Sequence, residues 1–182
     1  MSGCATSPTG RTQFLIVSEQ SAIAASKQAY AAMLTPLAKD NRINIDRVLN
    51  QRVRGIADRI VREAVRMRPE TLRWEWDLQI IDDPRTVNAW AMAGGKLALY
   101  TSLILKIDPS DDELTHMLAH EIAHALAKHS AEKISVSAAT NFGMQTVVIA
   151  TGNSHVALQG SALIAALAVP GPNSRSMATD AD

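Results

Sequence analysis

The sequence predicts an α+β fold, mostly helical with a small β-sheet, and three observations carry that expectation. Residues 45–67 place Ile45, Val48, Leu49, Val53, Ile56, Ile60, Ala64 and Val65 mostly at three- and four-residue steps, the period of an amphipathic helix. Two short runs have the two-residue alternation of strands: Trp74, Trp76, Leu78 and Ile80, then Leu97 and Leu99 between Lys96, Ala98 and Tyr100. Ser110 followed three residues on by Glu113 has the spacing of a capping box, and it opens a further helix.

The chain opens on small and turn-forming residues, Met1-Ser2-Gly3-Cys4-Ala5-Thr6-Ser7-Pro8-Thr9-Gly10, and residues 1–17 read as a flexible tail. Cys4 is the single cysteine, which excludes an internal disulfide framework and any Cys-rich zinc module. Small residues ahead of a cysteine resemble the end of a bacterial lipoprotein signal. The basic and apolar parts of such a signal are not among these residues and would lie upstream. Two readings of Cys4 stand: a lipidated residue that associates the protein with a membrane, or an idle thiol in the tail.

Residues 18–182 read as one domain. From Ser18 to Leu34 an Ala-rich stretch predicts a helix ending ahead of Pro36. On the 45–67 helix, Arg47, Arg52, Arg54, Arg59, Arg62 and Arg66 fall between the apolar positions as a solvated basic face, and Pro69 stops it. The first strand ends at Asp82-Asp83-Pro84, and the second follows the Gly94-Gly95 turn. The helix capped by Ser110, with Asp111, Asp112 and Glu113 suited to its dipole, is expected to run to about Lys128. Residues 134–169 are apolar but interrupted by Gly143, Gly152 and Gly160. Their clean stretches fall short of the ~20 residues that span a bilayer, so they read as one or two buried helices.

Eighteen basic and 18 acidic side chains cancel, and 4% of residues are aromatic, so neither charge nor stacking groups point to nucleic acid. The informative run is His120-Glu121-Ile122-Ala123-His124 inside the capped helix. Histidines at i and i+4 share one helical face, so both imidazoles can reach one metal ion, and zinc suits that pair. Glu121 lies beside them, where a carboxylate can take a proton from water that the metal activates. A metzincin needs glycine three residues and histidine six residues after His124, where this chain has Ala127 and Ser130. A third ligand must come from elsewhere. His116 is one turn too early on the same helix, His129 reads as a polar helix terminus and His155 as a loop residue.

Asn88-Ala89-Trp90-Ala91, Gly94-Gly95-Lys96-Leu97, Asp112-Glu113-Leu114 and His120-Glu121-Ile122-Ala123-His124-Ala125, in that order, resemble the family of HtpX and the CAAX prenyl proteases. Its periplasmic BepA-type members are the nearest likeness, over roughly residues 70–182. The resemblance implies a gluzincin-like metallopeptidase domain with its small sheet next to the HExxH helix. His120 and His124 would bind Zn2+, Glu121 would be catalytic, and a glutamate from a later helix would be the third ligand. The 94–100 strand would be an edge for an extended substrate. Unfolded or envelope proteins would be the substrates, in the periplasm or at the outer membrane.

The resemblance also marks a departure. The family has Ser-Arg-x-x-Glu-x-Glu-Ala-Asp where this chain has Ser174-Arg175-Ser176-Met177-Ala178-Thr179-Asp180-Ala181-Asp182. Ala178 stands in the ligand position, leaving Asp180, Asp182 or no residue to complete the metal site. The family continues into more helix, so the domain reads as truncated at its C-terminus. The competing expectation is therefore an inactive metallopeptidase fold that serves as a chaperone-like binding module.

Overall fold

The computed structural model describes residues 4–6 and 10–151, without the side chains of 4, 5 and 141–151. Two antiparallel strands come first, β1 (Cys4–Thr6) and β2 (Thr12–Phe14). Next are α1 (Glu19–Lys39) and α2 (Arg47–Met67), then a 3-10 turn at Pro69–Arg73. Strands β3 (Asp77–Ile81), β4 (Ala89–Met92) and β5 (Lys96–Tyr100) form the main sheet, followed by α3 (Thr101–Ile107), α4 (Asp111–Leu126) and α5 (His129–Thr151). The fold is α+β and mostly helical, with its small sheet against the HExxH helix, as expected.

Local chemistry accounts for the helix ends. The Ser18 hydroxyl accepts the Ser21 N–H at 3.1 Å, the Asp46 carboxylate accepts the Leu49 N–H at 2.9 Å, and Ser110 and Glu113 form the complete capping box. Pro36 does not end α1. Near the helix end it forfeits one donor, and its own carbonyl still accepts the Asp40 N–H at 3.1 Å. Helix α2 begins after its Asp46 cap, so Ile45 and Val48 are exposed, while Val53, Ile56, Ala57 and Ala64 form the buried line. Trp74 and Trp76 pack on the core from outside the sheet. The strand starts only at Asp77, after the Trp76 indole N–H has donated to the Thr71 carbonyl at 3.1 Å.

The sheet order is β3-β5-β4, with β3 parallel and β4 antiparallel to β5. This corrects the expectation that the 94–100 strand is an edge: β5 is paired on both sides and its first four residues are buried. Its Leu97 and Leu99 join Val53 and Ile56 of α2 and Leu114, Leu118 and Ile122 of α4 in the larger core. A second cluster unites Ala22, Ala29 and Tyr30 of α1, Met92 of β4 and Ala131 and Ile134 of α5. The alternation read from Leu97 and Leu99 does not separate a buried from an exposed face, because both faces of β5 are covered and Lys96 and Ala98 are buried too. The open edge at this end of the sheet is β4, a strand the sequence did not announce.

Part of the segment expected to be a flexible tail is packed. Gln13 on β2 is buried and donates to the Ala127 carbonyl at 2.7 Å, and the Ile16 and Val17 N–H groups both donate to the Ser135 hydroxyl at 3.1 Å. The reason is polar matching with the start of α5, which composition alone does not reveal. Among the described residues no helix is long and apolar enough to cross a membrane.

Candidate metal centre and active site

Helix α4 carries both histidines because it runs unbroken from its capping box past His124. Four residues advance a helix by about 6 Å and turn it only slightly past one revolution, so the two imidazoles stack on one face. Their Nε2 atoms lie 3.1 Å apart, with the rings edge to face. Two nitrogens bound to one tetrahedral zinc at about 2.0–2.1 Å would be separated by roughly 3.3–3.4 Å. The pair therefore fits a shared zinc ion with little rearrangement, and imidazole is a donor that zinc favours.

Glu121 projects from the same helix toward β4, where the Ala91 backbone N–H donates to it. The sheet register explains that contact. The Tyr100 N–H donates to the Asn88 carbonyl at 3.0 Å, so Trp90–Ala98 and Met92–Lys96 are also hydrogen-bonded pairs. Ala89 and Ala91 then direct their N–H and C=O groups away from β5, toward the outer edge. Burial pushes the Glu121 carboxyl above its ordinary value, opposed by His120, by Lys133 on α5 and by the Ala91 N–H. Lys133 is displaced reciprocally: burial pushes its ammonium below the ordinary lysine value, and Glu121 opposes that shift. The arrangement places a largely desolvated carboxyl beside two imidazole nitrogens that could share a metal ion, at the edge of a sheet.

Helix α4 stops at Leu126, two residues before the expected end. Lys128 adopts the left-handed conformation at φ 61°, which breaks the helix and lets α5 start at His129. His129, expected as a polar terminus, is 1% exposed, and its Nδ1 lies 2.6 Å from Nδ1 of His124. Lys133 carries no signal in the sequence, Ala91 enters there only within the Asn88–Ala91 motif, and His129 reads only as a polar helix terminus. The usable signal is a histidine five residues after His124, just past a helix end.

His116 is exposed. Glu132 is buried but committed elsewhere, accepting two hydrogen bonds from Arg11 and one from Gln13. No cluster of three metal-binding side chains occurs among the described residues. His155, Ala178, Asp180 and Asp182, on which the third-ligand question turns, lie outside the described residues.

Comparison with known proteins gives a consistent result. Residues 48–182 match the profile of peptidase family M48. The chain is 36% identical over 109 residues to the mitochondrial metalloendopeptidase OMA1 of Saccharomyces cerevisiae, covering 59% of this chain and 30% of that protein. The Schizosaccharomyces pombe counterpart is 37% identical over 108 residues, 59% of this chain and 31% of its own length. A Vibrio cholerae protein described as a beta-barrel assembly-enhancing protease is 33% identical over 93 residues, 51% of this chain and 18% of its own. The chain thus spans less than a third of these relatives. The profile match takes in α2, the three-stranded sheet and the whole of α4 with both histidines, and the chain belongs to peptidase family M48.

Proposed function

We propose that the protein is a zinc-dependent endopeptidase, with His120 and His124 as metal ligands and Glu121 as the base that takes the proton from the attacking water. The observation that carries this reading is the 3.1 Å approach of the two Nε2 atoms with the Glu121 carboxyl held beside them. Bound there, zinc supplies Lewis acidity that acidifies water and polarises a carbonyl. Glu121 contributes a carboxylate whose raised proton affinity suits a general base working near neutrality. Strand β4 takes the role first given to β5: the outward N–H and C=O of Ala89 and the outward C=O of Ala91 offer main-chain hydrogen bonds to an extended peptide, while the Ala91 N–H is engaged by Glu121. Backbone pairing of this kind suits unfolded proteins, because an extended segment must be available.

The metalloendopeptidase names among the relatives support the reaction class. The name of the Vibrio relative is in keeping with a bacterial envelope protease, so envelope proteins are the proposed substrates. Cys4 as a lipid anchor is a separate proposal that rests on the small residues ahead of that cysteine alone. The mitochondrial relatives are a reminder that the same domain serves in other membrane-bounded compartments. The test is cleavage of unfolded casein by zinc-loaded protein. Glu121→Gln should keep the metal and abolish cleavage, and His120→Ala should lose both. A Glu121→Gln variant with wild-type turnover would remove Glu121 from the mechanism.

Ala178 favours a second reading, a binding module that keeps the groove without tight zinc. That reading requires wild-type protein to suppress casein aggregation with or without zinc and to cleave nothing.

A further inference from the structure

We infer that His129 is a positioning residue for His124: its Nδ1 accepts the Nδ1–H of His124 and holds that imidazole in the tautomer whose Nε2 lone pair faces His120. The inference rests on the reading that His120 and His124 share a metal, and it assigns His129 a part that acts through His124.

On a continuous helix, residue 129 would sit about 140° around the axis from residue 124 and face away from it. The left-handed turn at Lys128 instead folds the start of α5 back, so that His129 lies behind His124 with ring centroids 4.9 Å apart and Nδ1 atoms 2.6 Å apart. Two imidazole nitrogens at that distance form a hydrogen bond only if one carries the proton and the other a lone pair. His124 has its other nitrogen, Nε2, directed at Nε2 of His120. For Nε2 to serve as a ligand its proton must reside on Nδ1, so His124 donates and His129 accepts with its own proton on Nε2. Metal-ligating histidines generally donate their second N–H to a carboxylate or carbonyl. Here the acceptor is a second imidazole at 1% exposure, which fixes ring orientation without adding negative charge. The left-handed conformation of a residue other than glycine at Lys128 is strained, and this contact is something that conformation makes available.

The experiment compares His129→Leu, which removes the acceptor, with His129→Asn, whose Oδ1 can reach about where Nδ1 lies. Zinc affinity is measured on each folded protein by competition with a chromogenic chelator. His129→Leu should weaken zinc by roughly 10- to 100-fold, and His129→Asn should recover most of that loss. A purely structural role would lower the melting temperature of both metal-free variants without separating their affinities. Long-range 1H–15N correlation spectra of metal-free wild-type protein provide a readout that needs neither variant. His124 should be Nδ1-protonated there. Equal zinc affinity in wild type and His129→Leu, or a His124 protonated at Nε2 in the wild type, overturns the inference. If wild type binds no zinc but His124 is Nδ1-protonated, the metal reading fails while the orientation by His129 stands.

Discussion

Arg11 and Glu132, 121 residues apart, meet in a two-pronged ion pair, with Nη1 to Oε1 at 2.9 Å and Nη2 to Oε2 at 2.6 Å. Glu132 is 2% exposed, so the pair anchors the strand-forming start of the chain to α5, the helix that follows the HExxH helix. Removing the arginine leaves a buried carboxylate whose remaining side-chain partner among the described residues is Gln13. Arg11→Ala should therefore cost about 2–3 kcal/mol in urea unfolding. The double change Arg11→Met with Glu132→Leu should restore most of that. If residues 10–17 were a loose tail, Arg11→Ala would leave the unfolding midpoint where it is.

Two glycines should respond in opposite senses to alanine. Gly95 has φ +75°, and a Cβ there would lie 2.6 Å from the Trp76 ring, which is held by its indole hydrogen bond to Thr71. Gly95→Ala should destabilise by about 2–4 kcal/mol through backbone strain and overpacking. Gly55 is exposed in the middle of α2 with nothing within 4 Å of a built Cβ. Gly55→Ala should stabilise by about 0.5–1 kcal/mol. Thermal melts of both variants check the turn geometry and the helix together.

Glu121→Gln should stabilise the metal-free protein at neutral pH. Burial raises the folded carboxyl's proton affinity above the unfolded chain's, so the folded state holds the extra proton. By linkage, that stability is fully present below the ordinary glutamate value of about 4.3 and is lost as pH rises through the folded value. Glutamine carries no such penalty and still accepts the Ala91 N–H. Melting curves from pH 4 upward should converge at the acid end and separate toward pH 7.5. A variant less stable than wild type at pH 7.5 would contradict the burial argument.

Lys133 acts on Glu121 in the opposite direction, since its positive charge lowers the carboxyl's proton affinity. Lys133→Met removes that pull, so the acid limb of the kcat/KM profile for peptide cleavage should move to higher pH. A limb that moves to lower pH, or not at all, would show that the lysine charge does not reach the base.

Ala178→Glu should tighten zinc binding and raise thermal stability only when zinc is present, because two imidazoles leave a tetrahedral ion short of a protein ligand. If Asp180 or Asp182 already serves, the restored glutamate changes little, and Asp→Asn at the serving position loses metal. The comparison is made by chelator competition and by melting with and without zinc.

Much of the site was legible because it is local. The pitch of one helix decides that His120 and His124 share a face with Glu121 beside them, and Ser110 and Glu113 secure that helix within four residues of chain. Helix α2 and its solvated arginines follow in the same way from a short-range period, although burial excluded Ile45 and Val48 from the face the period gave them. Strand β4, with no β-branched residue, exists because β5 pairs with it.

The sequence by itself determined the capped helix that carries the HExxH motif and the shared face of His120 and His124 with Glu121 beside them. Tertiary structure alone decided their surroundings: which strand is the edge, which N–H reaches Glu121, which cation faces it and what stands behind His124. Periodicity and capping act within a few residues of chain. The register of β4 on β5 and the reversal at Lys128 depend on burial against α1, α2 and α5, whose effect no local pattern records.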